Sequence, residues 1–384
     1  MGFHLGRVLT IPCMSADPTP LPVDESAALA PLREKIDALD GELLRLLNER
    51  AKVVVDVGHI KRSAGDAPIY VPHREKAVLD RVRSKNPGPL PDRCVEAIWR
   101  ELMSGSFALE RPLRIGHLGP QGSYSHLAAG RKFGSSVEYD ALAGIDDIFD
   151  AVARRHCDYG LVPVENSTEG SVTATLDLFI RNPLRVCAEV LAGIHHNLLA
   201  NCDAPEIKRI YSHPQALAQC ARWLSAQFPK AERIACSSSS RAVEIVSTEP
   251  GSAAIGSLLA SQLYGVKVQF ENIEDNPNNT TRFYVIGHQR TQPTGDDKTS
   301  ILFTTEHKSG ALVEVLSVFQ KHGLNLTHID KRPIQRVNWE YCFFVDLVGH
   351  EEDAQVAAAI AEAKRHCVQL TVLGAFPRAV EPVS

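Results

Sequence analysis

The sequence predicts a multidomain protein of α and α/β class: a helical unit, a larger α/β unit and a small βαββαβ unit. Three observations carry that prediction. Residues 27–62 hold one stripe of apolar residues at helical spacing, with Pro31 as their only proline. From Leu113 onward, short apolar runs alternate with helical stretches. Beyond residue 298, strand and helix patterns follow one another in the order βαββαβ. The length agrees, since 384 residues are too many for a single core.

Composition narrows the function class. With 44% hydrophobic and 23% charged residues the chain reads as an ordinary soluble protein, and no apolar run reaches the length of a membrane span. A net charge of −5 gives no footing for nucleic acid or an acidic membrane surface. The nine cysteines are odd in number and form no CxxC pair, which predicts reduced thiols and a cytoplasmic protein. His195-His196 is the only local histidine cluster and lacks ligand spacing, so no metal and no cofactor is expected. Residues 1–26 read as a disordered extension. Pro12 breaks its short apolar run, which disfavours a secretory signal, and Met14 is an alternative start.

The helical unit covers 27–110. Its first helix carries Leu32, Ile36, Leu39, Leu43, Leu46, Leu47, Val54 and Val57 and ends near Gly65-Asp66-Ala67-Pro68. A second helix follows Pro72, and Asn86-Pro87-Gly88-Pro89 stops it. A third starts after Pro91 and runs through Ile98, Leu102 and Met103 to about Leu109. Arg33 and Lys61 stand 28 residues apart, roughly 42 Å along a straight helix. They cannot grip one small ligand from the same chain, whereas antiparallel helices in a dimer would bring one chain's Arg33 near the other's Lys61. Arg50 and Lys61 are eleven residues apart, about 16 Å along the axis and close to one face. Two cations so placed could hold opposite ends of a dianion.

Leu32-Arg33-Glu34-Lys35-Ile36-Asp37, Asn48-Glu49-Arg50, Val57-Gly58, Lys61 and Arg74-Glu75 together resemble the all-helical chorismate mutases. The resemblance implies an intertwined dimer that rearranges chorismate to prephenate. It implies that Arg33 from the partner chain, Arg50 and Lys61 hold the carboxylates and the ether oxygen, with Arg74 and Glu75 completing the pocket and Glu75 on the substrate hydroxyl. Ser106 and Glu110 fall at the family's third-helix positions. The reaction is pericyclic and needs no nucleophile. A cationic pocket serves it by holding a compact conformer and stabilising charge on the breaking ether oxygen. Val71 stands where many relatives carry Asp, so any contact there is expected from backbone. Glu110 stands where many carry Gln. Only a protonated carboxyl can donate to the ether oxygen, so mutase activity is expected to need neutral Glu110.

The α/β unit covers 113–287. Gly119-Pro120-Gln121-Gly122-Ser123 follows the first strand and opens a helix near His126, either as a tight turn or as a cradle for an anion. It is not GxGxxG, which disfavours a dinucleotide. An apolar strand from Tyr159 runs into Glu165-Asn166-Ser167-Thr168, and another at Ile210-Tyr211 runs into Ser212-His213-Pro214-Gln215. Ser237–Ser240 reads as a flexible loop or a helix cap. Asn278-Asn279-Thr280-Thr281-Arg282-Phe283 enters a buried strand through polar groups, which alone suits a capping loop or a ligand site. No Ser-His-Asp arrangement or GxSxG elbow appears.

The segments around Gly119–Ser123, Glu165–Thr168, Ser212–Gln215 and Asn278–Phe283, in that order, resemble prephenate dehydratase. The resemblance implies a two-lobed fold like that of periplasmic binding proteins, with prephenate in the cleft. It implies decarboxylation with loss of the ring hydroxyl to give phenylpyruvate. Thr281 matches the essential threonine and is expected to donate a hydrogen bond near the departing hydroxide. Ser123, Glu165, Asn166, Ser212 and Gln219 are expected to line or support the site. Arg282 is expected to meet a substrate carboxylate or to be structural.

Residues 288–298 read as a linker and 299–376 as the βαββαβ unit, which resembles an ACT regulatory domain. Gly310-Ala311-Leu312-Val313 matches its ligand-loop motif, which implies feedback by L-phenylalanine. Asp330-Lys331-Arg332-Pro333 stands where relatives carry Glu-Ser-Arg-Pro; Arg332 is retained as an effector contact, while Lys331 puts the strength of feedback in question. Together the resemblances imply a homodimer or higher oligomer carrying both reactions of the phenylalanine pathway. The rivals are a two-lobed metabolite sensor and an enzyme that uses arogenate.

Overall fold

The computed structural model describes residues 25–63, 68–333, 341–380 and 382. The extension expected over 1–26 lies, up to residue 24, outside them. Two compact units emerge, one ending at Val57 and one starting at Gly58.

The first unit is the greater part of helix α1 (Glu25–Ser63). Arg45 pairs with Glu42 and Glu49 at i−3 and i+4 on its surface. Its apolar stripe is uncovered in the single chain: Leu32, Ile36, Leu39 and Leu43 are each more than half exposed, at 55–57%. Contiguous apolar surface of this kind marks an interaction face.

In the second unit, α2 (Pro72–Ser84) and α3 (Asp92–Glu110) precede the α/β region. Pro72 at the first helical position removes an N–H that would have no partner there. The α/β region begins with β1 (Arg114–Leu118), α4 (Tyr124–Phe133), β2 (Glu138–Leu142), α5 (Ile145–Ala153) and β3 (Tyr159–Asn166). It continues with β4 (Gly170–Ser171), α6 (Thr173–Arg181) and β5 (Arg185–Gly193). A second group follows: β6 (Asn197–Leu199), β7 (Arg209–Ser212), α7 (Pro214–Gln219), α8 (Ala221–Gln227) and β8 (Glu232–Ala235), then α9 (Ser239–Val246), β9 (Ser252–Gly256), α10 (Leu258–Tyr264) and β10 (Val268–Phe270). The chain then returns through β11 (Thr280–Gly287).

The first sheet runs β2-β1-β3-β11-β5, with β4 on β3, and the second runs β10-β6-β9-β7-β8. β11 is antiparallel to both its neighbours and sits between β3 and β5. The chain thus crosses between sheets twice, after β5 and before β11, which places the start of β11 at the junction of two lobes.

The last region comprises β12 (Asp297–Thr304), α11 (Ala311–Lys321), β13 (Leu326–Pro333), β14 (Tyr341–Val348), α12 (Ala354–Ala363) and β15 (Gln369–Pro377), with sheet order β13-β14-β12-β15. Its core is Ile301, Phe303, Val315, Phe319, Val345 and Ala359. The opposite sheet face is buried too: Cys342, Phe344, Leu373 and Phe376 share a core with Phe149, Leu176, Phe179 and Tyr284 of the first lobe. Gly374 permits that approach, since a Cβ there would stand 2.1 Å from the Val186 carbonyl oxygen. The segment expected as a linker is tied down accordingly. Thr291 is buried with its hydroxyl on the Ala375 carbonyl, and β12 begins at Asp297, inside the expected 288–298 span.

Candidate active site

A cavity of about 570 Å³ opens where the ends of β1, β3, β7 and β11 meet. Among its walls are Ser123, Asn166, Glu169, Gln219, Ser237–Ser240 and Thr281. Strand geometry decides which residues of β11 reach it. Side chains alternate across a sheet, so Thr281 and Phe283 line the cavity while Arg282 and Tyr284 point to the opposite face, toward β14. A register shift in the β3–β11 ladder at Arg282/Phe283 brings Pro163 and Asn166 to the cavity wall and sets Glu165 opposite Arg282.

Thr281 Oγ1 accepts a hydrogen bond from Asn166 Nδ2 at 2.9 Å. The other Asn166 amide hydrogen goes to Asn279 Oδ1, also at 2.9 Å, and the Asn166 carbonyl oxygen accepts from the Thr168 N–H and hydroxyl. Asn279, almost fully buried, donates to Gln219 Oε1 at 3.2 Å. Because Thr281 accepts from Asn166, its own proton is directed elsewhere, and the cavity is on that side.

A second chain of bonds runs through Tyr124, His196, Gln219 and Glu169. Burial lowers the pKa of His196, so the ring is neutral and has one N–H. Gln219 Oε1 lies 2.7 Å from Nε2 and can only accept, which places the proton on Nε2 and leaves Nδ1 to accept from the Tyr124 hydroxyl at 2.6 Å. The Gln219 amide then donates to Glu169 at 3.4 Å. His195 instead contacts Glu274 at 2.8 Å.

The helix ends add polarity. Ser123 caps α4 by accepting from His126 N, and Ser238 caps α9 by accepting from Arg241 N. Both first turns lie on the cavity wall. Backbone N–H groups at such ends attract anions. The Ser123, Ser240 and Ser257 hydroxyls donate to the carbonyls of Leu118, Gln121 and Gly122, so these serines are structural ties and not activated nucleophiles.

Three of the residues expected to line or support this cleft do not line it. Arg282, expected to meet a carboxylate or to be structural, is 7% exposed and surrounded by Asp346 at 2.5 Å, Glu165 at 3.2 Å and Glu189 at 3.4 Å. Burial works against its charge, but Tyr284, Asp346 and Glu189 outweigh this and raise its pKa. Glu165 faces Arg282 and His328. Ser212 is fully buried, donating to the Ile255 carbonyl at 2.8 Å and contacting Ser239 Oγ at 3.1 Å, one layer behind the wall. Conversely, Ser237–Ser240 is more than the expected loop or cap. Its position between a strand end and a helix start is the signal the other strand ends share. Tyr124, Glu169 and His196 were not expected, because nothing local in sequence joins them.

The residues expected around chorismate divide between the units. Arg33, exposed, and Arg50, half-buried, lie in the first unit. In the second, Lys61 Nζ approaches the two Glu110 oxygens at 3.0 and 3.3 Å. The Ser106 hydroxyl donates to its own helix at Leu102 O, 2.7 Å away. The Val71 carbonyl accepts from Glu75 N at 3.0 Å, Arg74 is exposed, and Glu75 is buried.

In the last region a cavity of about 170 Å³ is lined by Thr305–Lys308, Ala311, Leu312, Tyr341 and Phe343. Gly310 precedes α11 in a left-handed conformation (φ +86°), which a side chain would strain. Val313 is 64% exposed. Arg332, expected at the effector, instead makes a two-pronged ion pair with Asp177 of α6, at 2.8 and 2.9 Å.

Comparison with known proteins agrees with this architecture region by region. The family described as Prephenate dehydratase matches residues 115–291, Chorismate mutase type II matches 32–111, and ACT domain matches 299–365. A bifunctional chorismate mutase/prephenate dehydratase of Stutzerimonas stutzeri is 43% identical over 93% of this chain and 100% of its own length. One of Pseudomonas aeruginosa is 44% identical over 92% of this chain and 98% of its own. Among solved structures, prephenate dehydratase from Arthrobacter aurescens in complex with L-Phe is 33% identical, covering 69% of this chain and 90% of that one, with a TM-score of 0.65.

Proposed function

This chain belongs to the bifunctional chorismate mutase/prephenate dehydratases, and we propose on that premise how its residues divide the two reactions of L-phenylalanine biosynthesis. For the second reaction, Thr281 donates a hydrogen bond to the ring hydroxyl of prephenate as it departs. The bond to the ring carboxylate breaks, carbon dioxide leaves, and its electron pair enters the ring while the carbon–oxygen bond opens. Hydroxide takes up a proton as water, and aromatisation drives the step. A threonine hydroxyl is too weak an acid to lose its proton outright, so its role is to stabilise charge developing on the leaving oxygen. Asn166 strengthens that donation by donating to Thr281 Oγ1, and Asn279 and Gln219 hold Asn166 in place. The two substrate carboxylates are held at the first turns of α4 and α9.

The observation that carries this reading is the single bond from Asn166 to Thr281 within the cleft. Feeding chorismate to the enzyme tests it: the parent makes phenylpyruvate, and Thr281→Ala should stop at prephenate. Phenylpyruvate at the parent rate would remove Thr281 from the chemistry.

For the first reaction we propose Arg33 of a partner chain, Arg50, Lys61, Arg74, Glu75, Ser106 and Glu110 as the chorismate contacts, with Val71 contributing only backbone. The uncovered stripe of α1 supports a homodimer built along that helix. We propose that L-phenylalanine binds at the Gly310–Val313 loop, where Ala311 and Leu312 line the small cavity. No helix among the described residues is long and apolar enough to cross a membrane. We propose a cytoplasmic location on the ground that the described cysteines are free thiols.

A further inference from the structure

Glu75 and Lys132 lie in regions that match different enzyme families, and the structure joins them. Lys132 Nζ is 2.6 Å from Glu75 Oε2, and the Tyr70 hydroxyl donates to the same oxygen at 2.9 Å. The contact is sheltered: Glu75 is 7% exposed and the Lys132 side chain 16%. Tyr70 is packed edge-on against Phe107, Phe133 and Tyr159, with the Lys132 ammonium 5.8 Å from its ring centroid. Burial and the neighbouring Glu75 charge push the Tyr70 phenol well above its ordinary pKa, so it stays a donor. A rigid aromatic cluster therefore fixes one donor, and the last turn of α4 fixes the other.

Both recorded bonds end on Oε2. The second oxygen, Oε1, makes no hydrogen bond among the described residues. Oε1 is not among the buried polar atoms left without a partner, so it is open to a ligand while Oε2 is held twice.

We propose that Lys132, a residue of the dehydratase region, is a positioning residue for the mutase reaction: it locks the Glu75 carboxylate so that Oε1 meets the hydroxyl of chorismate. The inference rests on the reading above that Glu75 contacts that hydroxyl. It gives the fusion of the two regions a physical content, since the mutase pocket is completed by a side chain from its neighbour. Lys132 stands at the end of α4 remote from Ser123, so it does not belong to the dehydratase cleft.

The test uses the full chain with both reactions measured separately, chorismate consumption for one and phenylpyruvate from supplied prephenate for the other. Lys132→Met should lower mutase kcat/KM about tenfold or more, because a misplaced binding group costs that much, and should leave dehydration unchanged. Lys132→Arg, which keeps the charge, should recover most of the loss. Tyr70→Phe, which keeps the ring, should reproduce a milder mutase-only defect if Lys132→Met fails to fold. In a Glu75→Gln background, Lys132→Met should cost little more, since the two act as one unit. A Glu75→Gln enzyme with full mutase activity would overturn the reading of Glu75 as a substrate contact. A deficient Glu75→Gln enzyme beside an unaffected Lys132→Met enzyme would overturn the role of Lys132 alone. Equal loss of both reactions with a lowered Tm would also overturn it, by showing a structural pair.

Discussion

Replacing Thr281 by Val removes one hydroxyl and keeps the shape of a β-branched residue at the mouth of β11. Two consequences can be worked out. The first is chemical: the leaving oxygen of prephenate loses a fixed donor, and removal of one such donor costs ~10²–10³ in kcat, or about 2.7–4 kcal/mol. The second is structural: an Asn166 amide hydrogen loses its 2.9 Å acceptor, while its partner hydrogen keeps Asn279. The group still faces an open cleft, so the stability cost is about 1 kcal/mol. Phenylpyruvate formation at saturating prephenate reads the first, and urea unfolding reads the second. With chorismate supplied, prephenate should accumulate at the parent mutase rate. Thr281→Ser restores a hydroxyl and should regain most of kcat. A Thr281→Val enzyme whose kcat stays within about threefold of the parent, with the loss confined to KM, would mean that the hydroxyl only binds substrate and does not serve the transition state.

Three further outcomes follow from the same geometry. Arg282→Met leaves Asp346 and Glu189 without their guanidinium, and breaking a buried charge cluster in this way should cost about 3–5 kcal/mol of stability in urea unfolding; a loss under about 1 kcal/mol would show the cluster to be dispensable. Within that cluster burial works to raise the pKa of Asp346, but Arg282 outweighs it and the net shift is downward. Its contribution is therefore present above the unfolded value near ~3.9 and lost as pH falls through the folded one, so Asp346→Asn should flatten the acid limb of the stability profile. Arg332 grips Asp177 of α6, whose first turn lines the cleft; Asp177→Asn should weaken phenylalanine inhibition about fivefold or more without changing the uninhibited rate, and an unchanged inhibition constant would dismiss that link.

Much of the fold was legible because each region keeps one period over many residues. The helical stripe from Leu32 to Val57 and the alternation of Tyr341, Phe343, Val345 and Leu347 locate their elements to within a few residues. The convergence of strand ends was legible too, since Ser123 and Asn166 follow or end an apolar run, Thr281 opens one, and they meet with Gln219 in one cleft. What could not be read is which face of a strand looks at what. Arg282 follows Thr281 directly, and its opposite fate is set by Asp346, 64 residues further on in a sheet the local pattern does not mention. Arg332 and Asp177, 155 residues apart, pose the same problem. The polar start of β11 therefore joins two environments across a single pleat. Thr281 turns to the cleft, and Arg282 turns to a buried anionic cluster formed with the regulatory sheet. Arg282 therefore ties the strand that carries Thr281 to β14 through Asp346. A substitution at Arg282 that spares stability and still changes kcat would locate an influence of β14 on the cleft there, because Arg282 is the only charged residue of β11 and it pairs with Asp346.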